Sequence, residues 1–287
     1  MPELPEVETI VRELRRAKIV GQKIIDIVIF WPPLIKGRPF FFKKQLTGRK
    51  IIAIARRGKF IVFTLSGGCF LLVHLRMSGH FALARAGQPR EAHQHIILRL
   101  GDNRELRYRD TRKFGRWQIS TDTSEILGAL GPEPLARSFR PADFVSCLKT
   151  HRRQLKPLLL DQRVIAGLGN IYADEALWEA RLHPRRLSDS LDGSESWELF
   201  RAIRHVLRRG IRNKGTSLGT GMGNYYRPGR KSGRNQGQLS VVRQRGACCP
   251  RCGGALSRLL VGQRGTYLCL KCQKLAPGRS ESQKTKN

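Results

Sequence analysis

Four cysteines near the end of the chain constrain its folding more than any other feature. They form two Cys-x-x-Cys pairs, Cys249 with Cys252 and Cys269 with Cys272, and sixteen residues separate the pairs. Two such pairs bring four thiolates to one tetrahedral Zn²⁺, so the spacing predicts a structural zinc finger. The intervening LSRLLVGQRGTYL predicts a β-hairpin that turns within Gly262–Gly265. Cys248 is an additional neighbouring thiol that could compete as a ligand.

The charge balance predicts a polyanionic partner. The chain of 287 residues contains 54 Lys+Arg against 22 Asp+Glu, a formal net charge of +32. Such a field attracts nucleic acid and accelerates association with it. The imbalance is steepest from Leu199 to Ser280, where the sequence contains no Asp or Glu. A generally basic proteome is the alternative explanation.

No apolar run predicts a membrane span. The longest apolar stretch, Phe60–Leu75, is interrupted by Ser66-Gly67-Gly68, which indicates a hairpin turn. Grouped cysteines outside a secretory context are typical of metal binding in a reducing compartment. We therefore expect a cytoplasmic protein without a membrane partner.

Local patterns divide the chain. An apolar stripe from Pro5 to about Lys18 predicts a helix that ends before Gly21. Short β-branched runs predict a mostly antiparallel sandwich or barrel; they are KIIDIVIF, KIIAIARRGKFIVFTL, CFLLVHL, HIILRL and RWQIS. Beyond the proline-rich LGPEPLARSFRP, helical patterns cover 142–148, 156–160, 170–180 and 194–212, and a glycine-rich basic loop occupies 215–238.

The predicted fold class is therefore α+β and multidomain. We expect residues 1–133 to form an N-terminal β-rich domain, a sandwich or a barrel, with an N-terminal helix, and 134–140 to form a linker. We expect a helical domain over 141–240, the zinc finger over 241–275 and a disordered tail over 276–287.

The N-terminus MPELPEVETI suggests chemistry as well as structure. Removal of Met1 would leave Pro2 with a secondary amine that is nucleophilic near neutral pH. Its attack on a sugar C1′ would give a charged iminium, with Glu3 placed to act as acid or base. The stretch alone favours the structural alternative, a capped helix start.

Motifs elsewhere change that interpretation. PELPEVETI, RRGKF, HLRMSGH, DTRKFG, LGPEPL, LLLDQRVIAGLGNIYADEALW and QRGTYLCLKCQ occur in the order found in formamidopyrimidine-DNA glycosylases. The chain resembles this family over nearly its whole length. The resemblance implies an N-terminal β-sandwich, a helix–two-turn–helix domain and a four-cysteine zinc finger around a DNA-binding cleft.

The resemblance implies catalytic roles for four residues. Pro2 matches the Schiff-base nucleophile, and Glu3 matches the acid/base that assists ring opening at the sugar. Lys59 in RRGKF matches a lysine that contacts phosphate and assists β-elimination. Arg264 in QRGTY matches a finger arginine that binds phosphate and assists δ-elimination.

Further residues match the family's DNA contacts. Met77, Arg112 and Phe114 match the three that fill the gap left by an everted nucleotide, a role suited to a thioether, a planar cation and a ring. Taken singly, each has a structural alternative in core packing or a basic turn. The other implied DNA contacts are Asn170 at a helix start and His74, His93, His151 and Arg152.

The resemblance also implies a pocket for the damaged base. The resemblance places Glu6, Thr216 and Ser217 there. The following segment, LGTGMGNYYRPGRKSGRNQ, departs from the common form of the lesion-capping loop. Its contacts with a damaged base therefore do not follow from the resemblance.

The resemblance implies a monomeric, nucleoid-associated bifunctional DNA glycosylase/AP lyase with one structural Zn²⁺. Its partner would be double-stranded DNA containing oxidised purines, chiefly 8-oxoguanine and formamidopyrimidines. One alternative is an endonuclease VIII-like glycosylase for oxidised pyrimidines, although PELPE and DTRKFG favour the purine branch. The other is a non-catalytic zinc-finger DNA-binding protein, which would not need Pro2, Glu3, Lys59 and Arg264 together.

Overall fold

The computed structural model describes residues 1–219, 224–229, 231–242 and 246–275. The chain divides into two compact units: residues 1–129 with 209–237, and residues 130–208 with 238–287. The expected tail at 276–287 and parts of the glycine-rich loop lie outside the described residues. No helix among the described residues is long and apolar enough to cross a membrane.

The first unit begins with helix α1, Leu4–Arg16. Glu3 caps the helix, and the side chains and backbone N–H groups of Glu3 and Glu6 bond reciprocally in a capping box. The predicted apolar stripe is buried in the core of this unit. The helix ends earlier than the sequence suggested, because Lys18 already adopts a left-handed φ of 56°.

Eight strands form the predicted sandwich of this unit. They are β1 Ile24–Ile29, β2 Ile51–Arg57, β3 Phe60–Leu65, β4 Cys69–His74, β5 His80–Arg85, β6 Gln94–Leu100, β7 Arg104–Arg109 and β8 Arg116–Ser120. They pair in two four-stranded antiparallel sheets, in the orders β1-β6-β7-β5 and β2-β3-β4-β8. Phe81 packs against Phe63 and Trp117 across the sheets, with ring centroids 6.1 and 5.7 Å apart.

The sequence analysis did not predict strands β5 and β7 or helix α2, Pro39–Leu46. Strand β7 has the charged sequence RELRYR, yet Glu105, Arg107 and Arg109 are all buried. Arg107 Nε donates to Glu105 Oε2 at 2.8 Å, and Arg107 also donates to the carbonyls of Gln88 and Pro89. The segment contains no β-branched residue and only two apolar ones, so it lacks the enrichment that predicts a strand from sequence. A short helix α3, Ser124–Leu127, follows the sandwich.

The segment after the last long helix belongs by its contacts to the first unit, whereas the sequence division placed it with the helical domain. Thr216 N donates to Glu6 Oε1 at 2.7 Å, and Arg227 Nε donates to Glu13 Oε1 at 2.6 Å. Both carboxylates lie on α1. These bonds therefore hold the segment against the first helix of the chain.

The second unit contains the predicted helices and the finger hairpin. Its helices are α4 Pro141–Thr150, α5 Leu155–Leu160, α6 Asn170–Glu179 and α7 Gly193–Arg212, the last of which crosses the division between the units. The hairpin consists of β9 Ser257–Val261 and β10 Arg264–Leu268, in register from Arg264 opposite Val261. The turn lies within Gly262–Gly265, as the sequence predicted.

Candidate functional site

The N-terminal residues form a buried acidic centre at the start of α1. Pro2 and Glu3 are buried, whereas Met1 is exposed. The capping box fixes the Glu3 carboxylate on the backbone N–H of Glu6. The positive end of the helix dipole also favours negative charge at this position. Removal of Met1 would leave the Pro2 secondary amine next to this carboxylate in the chain, at residues that are shielded from bulk water.

Glu6 joins this centre to residues more than two hundred positions away. Its Oε2 accepts from Glu3 N at 2.9 Å and its Oε1 accepts from Thr216 N at 2.7 Å. Ser217 Oγ donates to the Tyr225 carbonyl at 2.6 Å and accepts from Gly233 N at 2.9 Å. The structure therefore brings together the expected pocket residues Glu6, Thr216 and Ser217 with Pro2 and Glu3.

Lys59 lies in the tight turn between β2 and β3, after Gly58 with a φ of 54°. The Phe60 ring, next to it, contacts the His74 ring edge-on at 4.8 Å. Burial, with the charges of Arg76 and Lys59, lowers the pKa of His74 to about 3. His74 Nδ1 accepts the Arg76 backbone N–H at 3.0 Å. The imidazole is therefore neutral, with Nε2–H as its remaining donor.

The three expected insertion residues lie on two neighbouring loops. Met77 lies between β4 and β5, and Arg112 and Phe114 lie between β7 and β8. Met77 is 36% exposed and Phe114 is 47% exposed, which is high for large apolar side chains. The Arg112 guanidinium lies 4.9 Å from the Phe114 ring centroid. The exposed His93 adjoins this region, because its carbonyl accepts from Asp110 N at 3.0 Å.

In the second unit, Asn170 and Arg264 are brought together at the hairpin. Asn170 is the first residue of α6, and its Nδ2 donates to the Gly265 carbonyl at 3.1 Å. Lys156 Nζ donates to the same carbonyl at 3.0 Å and to Thr266 Oγ1 at 2.8 Å. Both residues thereby fix the backbone next to Arg264.

The Lys156 ammonium is fully buried and paired with a buried carboxylate. Its Nζ lies 2.6 Å from Asp174 Oδ1, and both side chains are 0% exposed. Asp174 Oδ2 accepts from Tyr267 N at 3.0 Å, on strand β10, which begins at Arg264. Sequence reasoning missed this pair, since its two members are ordinary charged residues of helical segments.

His151 and Arg152 lie just after α4. His151 Nδ1 contacts the Cys147 carbonyl at 2.8 Å, which closes the last turn of that helix. Arg152 projects from the surface, with its side chain 81% exposed and its Nε 4.0 Å from Asp189 Oδ2. Arg152 is therefore a cation available to a polyanion, whereas His151 also has a structural contact.

The four predicted zinc ligands converge. The Sγ atoms of Cys249, Cys252, Cys269 and Cys272 all lie within 4.8 Å of one another. Two of the Sγ–Sγ distances are 3.5 and 3.9 Å. Four thiolates at about 2.3 Å from a tetrahedral Zn²⁺ would stand about 3.8 Å apart, so this arrangement fits the metal. Cys248 is exposed and lies outside the cluster.

The fold and these sites define a zinc-finger protein that acts on nucleic acid. Residues 1–117 match the formamidopyrimidine-DNA glycosylase N-terminal domain and residues 130–222 the H2TH domain of the same enzymes. Residues 249–275 match a zinc finger found in FPG and IleRS. The chain belongs to the formamidopyrimidine-DNA glycosylase family.

Similar proteins cover almost the whole chain. The formamidopyrimidine-DNA glycosylase of Protochlamydia amoebophila is 46% identical over 275 residues, which are 96% of this chain and 100% of the relative. A mutant Lactococcus lactis FPG in complex with a Fapy-dG containing DNA has a TM-score of 0.89 at 38% identity. The wild-type Lactococcus lactis protein in complex with an oxidized pyrimidine containing DNA has a TM-score of 0.87 at 37% identity. Each structure covers 96% of this chain and is itself covered completely, at 100%.

These findings confirm the predicted family, fold class and zinc finger. They do not test the roles assigned to individual residues, which remain predictions. The structure also reveals supporting residues that the sequence reasoning missed: Asp110, Lys156 and Asp174. Each is connected by hydrogen bonds to residues far along the chain, and such connections leave no local pattern.

Proposed function

We propose that this protein is a bifunctional DNA glycosylase/AP lyase that excises 8-oxoguanine and formamidopyrimidines from double-stranded DNA. The observation that carries the proposal is the buried N-terminal centre, where Pro2 and Glu3 adjoin the Glu6 carboxylate and Thr216. The capping box accounts for the two carboxylates as helix caps, but it gives no role to the Pro2 amine that removal of Met1 would leave. Membership of the family supplies the substrate class.

Base excision starts at the Pro2 nitrogen once Met1 has been removed. Its lone pair forms a bond to the sugar C1′, and the bond from C1′ to the base breaks with its electron pair leaving on the base. The Pro2 N–H proton passes to the Glu3 carboxylate as the new bond forms, and the expelled base takes a proton from water. Glu3 then delivers its proton to the ring oxygen as the sugar opens, which leaves an iminium between Pro2 and C1′. The capping box holds the Glu3 carboxyl in a defined position for this transfer.

Strand cleavage follows from the iminium. Loss of a C2′ proton expels the 3′ phosphate by β-elimination, and a second elimination expels the 5′ phosphate. Lys59 contacts the phosphate and assists the first elimination, and Arg264 assists the second. Hydrolysis of the iminium then releases the sugar remnant and restores the Pro2 amine. A bound Zn²⁺ supplies the crosslink that holds the hairpin carrying Arg264.

Recognition of the lesion requires the damaged nucleotide to leave the base stack, which costs a few kcal/mol. Met77 and Phe114 offset part of this cost by filling the space, and Arg112 donates to the orphaned base. Cytosine presents O2 and N3 acceptors to an arginine, whereas adenine presents a poorer match. Excision of 8-oxoguanine is therefore expected to be fastest opposite cytosine and slow opposite adenine.

A trapping experiment tests the proposal directly. A duplex with a single 8-oxoguanine opposite cytosine is incubated with the protein and borohydride, which reduces the iminium to a stable adduct. We expect a covalent protein–DNA band that requires the lesion and is absent from a form that retains Met1, in which the Pro2 nitrogen is an amide. Binding without any adduct would contradict the proposal and favour a non-catalytic DNA-binding protein.

A second candidate activity, excision of oxidised pyrimidines, is favoured by one observation. The wild-type Lactococcus lactis relative was solved with an oxidized pyrimidine containing DNA. We expect this chain to act on thymine glycol more slowly than on 8-oxoguanine in matched duplexes. The reverse order would place its activity with the pyrimidine-directed glycosylases.

We also infer that the protein works in the cytoplasm, associated with the nucleoid. Chromosomal DNA is its proposed substrate, and the four zinc-ligand thiols require a reducing environment to stay metal-bound. A fluorescent fusion that fails to overlap with the nucleoid would contradict this location.

A further inference from the structure

Two chain crossovers lie side by side at one edge of the sandwich. Residues 75–79 lead from β4 to β5, and residues 110–115 lead back from β7 to β8. Strands β4 and β8 pair in one sheet, with His74 opposite Arg116, and β5 and β7 pair in the other, with His80 opposite Arg109. The first crossover carries Met77, and the second carries the other two proposed insertion residues.

The Asp110 carboxylate bonds to both crossovers. This residue is 0% exposed. Its Oδ1 accepts from Ser78 Oγ in the first crossover and from Arg112 N at 3.3 Å in the second. Its Oδ2 accepts from Gly115 N at 2.7 Å and from Tyr108 Oη at 3.4 Å. Arg112 N also donates to Ser78 Oγ at 3.0 Å, so the hydroxyl joins the two loops directly.

Close packing leaves little room for other arrangements of this junction. A Cβ at Gly79 would lie 2.2 Å from Tyr108 Oη, and one at Gly115 would lie 1.9 Å from the same oxygen. Burial and the nearby Asp110 charge raise the pKa of Tyr108 well above its ordinary range. The Tyr108 hydroxyl therefore stays protonated and donates a hydrogen bond to the Asp110 carboxylate.

Each crossover also contains a non-glycine residue in the left-handed region. Arg76 has a φ of 54° and immediately precedes Met77, and Lys113 has a φ of 57° and separates Arg112 from Phe114. The left-handed conformation is unfavourable for an L-residue that carries a Cβ. Surrounding bonds must hold such conformations in place, and the bonds on Asp110 lie next to both.

We propose that Asp110 is the positioning residue that locks both crossovers together, so that Met77, Arg112 and Phe114 enter the DNA as one rigid unit. The inference rests on the proposed function. In the second crossover the Asp110 carboxylate fixes the backbone on both sides of Lys113. In the first crossover its bond to Ser78 fixes the residue that directly follows Met77. Asp110 itself is buried and acts through these neighbours.

Two variants disturb the junction, and a third is a matched control. Asp110→Asn keeps the shape but replaces one acceptor oxygen with an amide donor, which opposes a backbone N–H. Ser78→Ala removes the hydroxyl between the loops. Asp122→Asn alters an exposed aspartate that also accepts a backbone N–H, that of Ser124 at 2.8 Å, away from both loops. All three are assayed as zinc-loaded full chains below their melting temperatures.

Single-turnover excision of 8-oxoguanine is measured opposite cytosine and opposite adenine, beside cleavage of a preformed abasic site. We expect Asp110→Asn to slow excision opposite cytosine by about 10-fold or more, because a hydrogen bond to a charged group is lost. The ratio of the excision rate opposite cytosine to the rate opposite adenine should fall in Asp110→Asn and, to a smaller extent, in Ser78→Ala. Cleavage at the abasic site, which has no base to unstack, should change by less than about 3-fold.

Asp122→Asn should match the wild type in every assay. A ratio unchanged in both Asp110→Asn and Ser78→Ala would overturn the inference. An equal loss at the abasic site would also overturn it, since it would indicate general damage to the domain. If Asp110→Asn does not fold, the ratio of excision rates measured for Ser78→Ala tests the inference, and an unchanged ratio in that variant overturns it.

Insertion is also measured without catalysis. The fluorescence of 2-aminopurine, placed opposite a tetrahydrofuran abasic analogue, reports unstacking of the opposite base. We expect a smaller fluorescence change in Asp110→Asn than in the wild type at saturating protein. Failure of the wild type to excise 8-oxoguanine would refute the proposed function, whereas normal wild-type excision with unaffected variants would refute only the role of Asp110.

Discussion

Removal of the Lys156 ammonium should destabilise the zinc-finger hairpin strongly. In Lys156→Met the fully buried Asp174 carboxylate loses a partner at 2.6 Å, and Gly265 O and Thr266 Oγ1 lose a donor. Removing one member of a buried ion pair costs about 3–5 kcal/mol. A loss of that size corresponds to a fall in melting temperature on the order of 10 °C.

Burial raises the pKa of Asp174 to about 7 even beside Lys156, so in Lys156→Met the carboxyl must either stay charged without a partner or take up a proton. The cost should therefore shrink when both groups are replaced. In Lys156→Met/Asp174→Asn the amide oxygen still accepts from Tyr267 N, and no buried ion remains. We expect the double variant to lose less stability than Lys156→Met alone. In a double-mutant cycle the free energies of unfolding should give a coupling energy of about 2 kcal/mol or more.

The same change should affect the second elimination step. Lys156 fixes the backbone immediately after Arg264, so Lys156→Met should let the β-elimination product accumulate over the δ-elimination product. Thermal denaturation of the zinc-loaded protein and gel analysis of the two products measure these effects. Arg185→Met is the control, because Arg185 donates to Leu260 O at 3.1 Å on the same hairpin but is exposed. A Lys156→Met protein that melts within about 2 °C of the wild type, or additive effects in the cycle, would refute the reasoning.

Four further predictions concern the metal, the nucleophile and the DNA contacts. Cys248→Ser should retain one Zn²⁺ per chain by metal analysis, and loss of zinc would mean that the ligand set is wrong. Pro2→Gly, or a form that retains Met1, should lose most base excision and borohydride trapping while still binding DNA; full activity in either would exclude the Schiff-base assignment. Arg264→Ala should lower the slope of log affinity against log salt by about one phosphate contact and let the β-elimination product accumulate, and an unchanged slope would remove it from the interface. Because the pKa of His74 is lowered to about 3, its neutral form stabilises the fold above its unfolded pKa of about 6.5, and this stability is lost as the pH falls towards 3. His74→Gln should therefore leave the salt slope unchanged at pH 7, and a slope lower by about one would show that the imidazole is charged in the complex.

The sequence by itself determined the features that local spacing encodes. The cysteine pairs predicted both the metal site and the hairpin between them, because four thiolates can meet one ion only if the intervening chain folds back. The stripe in α1 predicted a buried helix since its period matches the helical turn. The order of the short motifs predicted the family, and with it Pro2 and Glu3 as candidate catalytic residues.

Only the tertiary structure decided how the site is held. Strand β7 escaped prediction because its buried arginines and glutamate neutralise one another, and such residues are expected at the surface. Glu6 meets Thr216 across 210 positions, and Lys156 meets Thr266 across 110. A hydrogen bond between distant residues has no period and no fixed spacing, so it leaves no signal in a single sequence. Asp110 shows the same limit: the sequence presents one acidic residue before a basic turn, and only the folded chain places two loops around its carboxylate.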